Sequence, residues 1–152
     1  MIHLYEIDGV LCNRQQIHDL TPLESLVYQR GIRVLHRPQH HFSILTGRMQ
    51  EHTGDTLFWL IRNGVNFDTL FHGNTDPDNP NLYKLEILNH LKSLGKEVVY
   101  YDSSLETVEF LRMNRISAWY MEWKMLERQR RGEIRLTEHV ALDHPFRSKR
   151  WG

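Results

Sequence analysis

The sequence predicts an α/β domain built on a parallel sheet with helices on its faces. Short apolar runs rich in branched residues alternate with stretches of helical periodicity, which is the pattern of strand–helix–strand units. The runs stop at Asp8-Gly9, Thr46-Gly47 and Asp102-Ser103, and 152 residues suffice for one buried core.

The first strand lies within Met1 to Leu11, where Ile2, Leu4, Ile7, Val10 and Leu11 surround Glu6 and Asp8. Thr21-Pro22-Leu23-Glu24 has the spacing of a capping box with proline at the first helical position. It opens a helix over Pro22 to Arg30, with Leu23, Leu26 and Val27 expected inward and Gly31 at its close. A second strand, His41 to Leu45, ends at Thr46-Gly47-Arg48. A helix over Glu51 to Arg62 places Leu57, Phe58 and Ile61 on one face and stops at Asn63-Gly64. Val65 to His72 is a short strand or extended segment with Phe67, Leu70 and Phe71 for the core. Residues 73–80 form a loop dense in turn-forming residues. A third helix, Leu82 to Leu94, carries Lys84 near its start and stops at Gly95. Glu97 to Tyr101 is the next strand, and Leu105 to Met113 is helical with Val108 and Leu111 inward. Ser117 to Arg131 fits an amphipathic helix with Trp119, Trp123 and Leu126 on one face, and Glu133 to Leu142 alternates like an edge strand.

A content of 40% apolar and 25% charged residues excludes a disordered chain. Cys12 is the sole cysteine, so no internal disulfide framework exists, and a reducing, cytoplasmic setting is expected. No apolar run approaches a membrane span and no signal-peptide pattern opens the chain, so no membrane partner is expected. The net charge of zero conceals an asymmetry: residues 1–113 hold 10 Lys+Arg against 14 Asp+Glu, and residues 114–152 hold 9 against 5. The basic tail reads as a solvated face, or as an attractor of phosphate-rich substrate. No internal repeat or linker divides the chain, so residues 1–152 read as a single domain, with its motifs in 2–112 and a basic, Trp-rich extension over 114–152.

Alternate residues of a strand point the same way, so Glu6 and Asp8 project together from the C-terminal end of the first strand, where open α/β sheets bind ligands. Two adjacent carboxylates need a neutraliser, and a divalent cation with oxygen ligands, most simply magnesium, serves. Thr46-Gly47-Arg48, Lys84 and Asp102 should converge on the same sheet edge. They add a hydroxyl and a main-chain N–H for an anion's oxygens, a cation, and a second metal-ligating acid. Phosphoryl transfer needs little more, because its catalysis is largely positioning and charge stabilisation.

These residues resemble the four motifs of the haloacid dehalogenase (HAD) superfamily of phosphohydrolases over residues 2 to 112. Glu6-Ile7-Asp8-Gly9-Val10-Leu11 matches the first motif except at its first acid. Phe42 to Arg48, Lys84 within Tyr83-Lys84-Leu85-Glu86, and Val98 to Asp102 match the other three. The resemblance implies a three-layer, Rossmann-like (HAD-like) parallel sheet with helices on both faces. It also implies a nucleophile at Glu6, an acid/base at Asp8, a phosphoryl contact at Thr46 and a neutralising Lys84. Magnesium would rest on Glu6, the Asp8 carbonyl and Asp102, with Gly47 and Arg48 beside the substrate. Glutamate at the nucleophile position carries one methylene more than the motif's aspartate, so the site has either shifted to accept it or lost the covalent step. Cys12 to His40 and the loop from His72 to Asn81 are too short for an inserted cap domain. Capless members often act on bulky phosphates, so the resemblance implies a phosphorylated substrate such as a nucleotide or a nucleic-acid end. Tyr83, Tyr100 and Tyr101 could stack bases, or belong to the core. Arg48 either contacts a substrate phosphate or pairs with an acid on the neighbouring helix. The alternative function is a catalytically inactive HAD-like module that binds a phosphate ligand, nucleic acid or a protein partner. The oligomeric state is open.

Overall fold

In the computed structural model, which describes residues 1–13, 20–121 and 131–132, the opening apolar run forms the central strand of a five-stranded sheet. This strand, β1 (Ile2–Tyr5), is followed by α1 (Pro22–Tyr28), β2 (Ser43–Leu45), α2 (Thr53–Arg62) and β3 (Leu70–Phe71), then α3 (Pro80–Ser93), β4 (Val98–Asp102), α4 (Leu105–Met113) and β5 (Ala118–Tyr120). The sheet order is β3-β2-β1-β4-β5 and every pairing is parallel. Leu4 stands opposite Ser43 on one side and Tyr100 on the other.

Period-two alternation divides the core between two faces. Leu4, Leu45, Val98 and Tyr100 pack with Leu88 of α3 and Val108 and Leu111 of α4. Tyr5, Ile44, Val99 and Tyr101 pack with Trp59 and Leu60 of α2. The result is three layers, with each fully buried large apolar side chain stabilising by about 1.5–3 kcal/mol. The first two strand-to-strand connections run from β1 towards one edge, and the next returns to β4 on the other side of β1. A topological switch point therefore lies between β1 and β4, where crevices form at the carboxyl ends of the strands. None of the described helices is long and apolar enough to cross a membrane.

The Thr21 capping box forms as expected, with Thr21 Oγ1 accepting from Glu24 N–H and Pro22 at the helix start. The inward face of α1 differs from expectation. Leu23 and Val27 are 71% and 55% exposed, whereas Ser25 and Gln29 are buried. Gln29 Nε2 donates to Ser25 Oγ at 3.2 Å and to Asp55 Oδ2 on α2 at 3.1 Å. Polar groups that satisfy one another can take the inner face despite the apolar periodicity. In α2 the inner face is likewise rotated by about one residue, roughly 100°. Trp59 and Leu60 are buried, while Phe58 and Ile61 are 46% and 73% exposed. The expected helix from Ser117 is also corrected. Residues 118–120 form the parallel edge strand β5, because Ala118 and Trp119 continue the ladder on Tyr100 and Tyr101. Trp123, Leu126 and the alternating stretch 133–142 lie outside the described residues.

Candidate functional site

β1 passes into the site without a break, since Glu6 N–H still donates to the Tyr101 carbonyl at 3.1 Å. The chain then turns sharply. The Ile7 carbonyl accepts from the N–H groups of Val10, Leu11 and Cys12, and Gly9 takes φ +81°, a conformation disfavoured for residues with a Cβ. This turn brings both carboxylates to the switch point.

The Glu6 carboxylate is buried and held by three donors from three segments. Its Oε1 accepts from Ile7 N–H at 2.8 Å, and its Oε2 accepts from Gly47 N–H at 2.9 Å and lies 2.7 Å from Lys84 Nζ. Lys84 also donates to Asp102 Oδ2 at 2.9 Å. Tyr100 O–H donates to the same oxygen at 2.8 Å, and Ser104 N–H donates to Asp102 Oδ1 at 2.9 Å. Burial disfavours the charge on Lys84, but Asp102 and Glu6 outweigh that effect and hold its pKa above the ordinary lysine value. Burial, reinforced by the charges of Asp102 and Glu6, raises the Tyr100 phenol well above its usual value.

Asp8 is held separately. Arg48 Nη2 donates to its Oδ1 at 2.7 Å and Arg48 Nε to its Oδ2 at 3.0 Å. Arg48 Nη1 reaches Gln29 Oε1 at 3.2 Å and Thr56 Oγ1 at 3.0 Å. Burial works against the guanidinium's charge, yet the attraction and hydrogen bonds of Asp8 prevail and raise its pKa. Gln29 continues the network to Asp55, whose Oδ2 contacts His52 Nδ1 at 3.2 Å. The Asp8 main-chain carbonyl faces the other way and accepts from Ser103 Oγ at 3.3 Å.

Glu6, Asp8, Lys84 and Asp102 line one cleft of about 450 Å³, whose rim includes Asp78, Asn81 and Glu106. Thr46 is fully buried and its Oγ1 accepts from Arg48 N–H at 3.1 Å. Gly47 presents its N–H to Glu6 while its carbonyl accepts from Asn74 Nδ2 at 2.8 Å. Arg48 is buried against Asp8. Tyr100 and Tyr101 are buried on opposite faces of the sheet and offer no stacking platform. Tyr83 is partly buried with its hydroxyl on Gly73 N–H at 2.7 Å.

Among the described residues, no three His, Cys, Asp or Glu side chains are grouped to hold a metal ion. The donor set that the resemblance implies for magnesium, two carboxylates and a main-chain carbonyl, consists of oxygen ligands of the kind this cation takes. After the hydrogen bonds above, Glu6 Oε1, Asp102 Oδ1 and the Asp8 carbonyl each retain a free lone pair.

Sequence reasoning missed Gln29, Thr56, Asn74 and Ser103 as supports of the site. Ser25 and Gln29, one helical turn apart, were the only advance sign that α1 turns a polar face inward. Asn74 lay inside a loop already rich in turn formers. Comparison of the chain with protein-family models, curated proteins and solved structures found no match.

Proposed function

We propose that the chain is a HAD-like, capless, magnesium-dependent phosphohydrolase acting on a phosphomonoester, with a nucleotide or nucleic-acid end as the first substrate class to test. The observation that carries this reading is the convergence of Glu6, Asp8, Lys84 and Asp102 on one cleft at the β1/β4 switch point. Magnesium would be held by Glu6, the Asp8 carbonyl and Asp102, and would offset the charge of the phosphoryl group. Lys84, which bridges two carboxylates, would neutralise charge gathering there. In this reading a Glu6 oxygen attacks phosphorus as the ester P–O bond breaks, and Asp8 gives the leaving oxygen its proton. Asp8 then takes a proton from the water that releases phosphate from Glu6. Asp8 can act so only after parting from Arg48.

The bidentate grip of Arg48 on Asp8 favours a second reading, a catalytically inactive module that keeps the fold and binds a phosphate ligand, nucleic acid or a protein partner. Magnesium-dependent phosphate release from aryl phosphate, nucleotides, sugar phosphates and phosphorylated oligonucleotide ends separates the two. Turnover by the wild type that Asp8→Asn abolishes supports the enzyme. A silent wild type whose Glu6→Asp variant gains turnover supports the inactive module.

A further inference from the structure

Glu6 stands in an arrangement usually associated with a bound anion. Two main-chain N–H groups, from turns after two adjacent parallel strands, and one buried ammonium all point at its carboxylate. Among the described residues, the Ile7 and Gly47 N–H groups have no other acceptor. Buried donors left unpaired are costly, so these two take an acceptor from Glu6, from a ligand or from water. Lys84 has Asp102 as a second partner and would keep a cation at the site if Glu6 withdrew. Donors held rigidly around a point of negative charge form an oxyanion cradle, whichever anion fills it.

We propose that the Glu6 carboxylate is the resident anion of this cradle, so that the resting protein is self-ligated and closed to free inorganic phosphate. A ligand oxyanion enters only by displacing Glu6 from Gly47 N–H and Lys84. The cleft of about 450 Å³ that Glu6 lines gives both the incoming anion and the displaced side chain somewhere to go. This deepens the reading above and takes from it only that the cleft receives a phosphate-type anion. It requires no turnover.

The test is binding of inorganic phosphate to the full-length chain, without added metal and at constant ionic strength, followed by titration calorimetry and phosphorus NMR line width. The variants are Glu6→Ala, Glu6→Asp, and Glu6→Ala combined with Lys84→Met. Glu6→Ala empties the cradle and should bind phosphate at least about 10-fold more tightly than the wild type, the gain expected from one charge-assisted hydrogen bond. The added Lys84→Met should abolish that gain. Glu6→Asp keeps the charge and the fold while drawing the carboxylate back by one methylene, and should also gain phosphate binding. Wild-type protein that binds phosphate as tightly as Glu6→Ala would overturn the proposal. So would Glu6→Ala and Glu6→Asp proteins of native far-UV circular dichroism that bind none. Because hydrolysis is measured separately, a chain that binds in the expected pattern without turnover removes the enzymatic reading and leaves the cradle standing.

Discussion

Arg48 holds Asp8 through two parallel hydrogen bonds of 2.7 and 3.0 Å, with both side chains buried. A fork-to-fork pair of this kind fixes direction as well as charge. Removing the cation strands a buried carboxylate, so Arg48→Ala should cost about 3–5 kcal/mol of stability. Arg48→Lys should recover only part of that loss, because an ammonium cannot bind both oxygens while also reaching Gln29 and Thr56. Urea unfolding of the three proteins checks the order, and an Arg48→Lys protein as stable as the wild type would remove the bidentate pair from the account.

Alkaline pH should unfold the protein early. Lys84 titrates higher in the folded than in the unfolded chain, so its stabilisation is complete below the ordinary lysine value of 10.5 and is lost as pH rises through the folded value. Tyr100 acts in the same direction. The unfolded phenol ionises near 10, whereas the folded one keeps its proton, so rising pH favours unfolding. Each group contributes a slope of up to about 1.4 kcal/mol per pH unit. Tyr100→Phe should therefore flatten the decline of stability above pH 10, as read by thermal unfolding across the alkaline range.

At the proposed magnesium site, Asp8 in the turn after β1 and Asp102 at the end of β4 should separate by what each would lend. Asp102 offers a side-chain oxygen, and Asp102→Asn should weaken magnesium uptake at least about 10-fold, as the loss of a ligating carboxylate does. Asp8 offers its main-chain carbonyl, so Asp8→Asn should bind magnesium nearly as the wild type does. Calorimetry on folded proteins decides it, and equal losses in both would exclude the carbonyl as the ligand.

The polar inner face of α1 makes a prediction contrary to hydropathy. Leu23→Glu and Val27→Gln should change stability by no more than about 0.5 kcal/mol, since both residues face outward. Gln29→Leu should cost about 1–3 kcal/mol, because Asp55 and Arg48 each lose a buried partner. Denaturant midpoints for the three variants would test this inversion directly.

The strand-and-helix alternation and the acids at the strand ends were legible in the sequence because backbone periodicity and turn chemistry are local. Thr21, Pro22 and Glu24 announced the start of α1, and the glycines after α2 and α3 announced their stops. The inward faces of α1 and α2 were not legible. Ser25 and Asp55 bond to Gln29, which in turn bonds to Arg48, distant in sequence, and no local pattern shows that network. The same limit applies to Glu6, whose spacing to Asp8 was visible while its three donors, from Ile7, Gly47 and Lys84, were not. β5 was misread because Trp119 sits in a pattern that suits a helix, and only the ladder on Tyr101 selects the strand.

The central strand gains one of its two neighbours late. Ile2 to Tyr5 pair with Val98 to Tyr101, and Lys84 reaches its second carboxylate only at Asp102. During translation, the residues before Val98 therefore emerge with Glu6 and Asp8 but without the strand that brings Asp102 to their cleft. Ribosome-bound chains that end before Val98 should be open to proteases and chaperones, and completion of β4 is the step at which β1 gains its second neighbour and Asp102 joins the cleft.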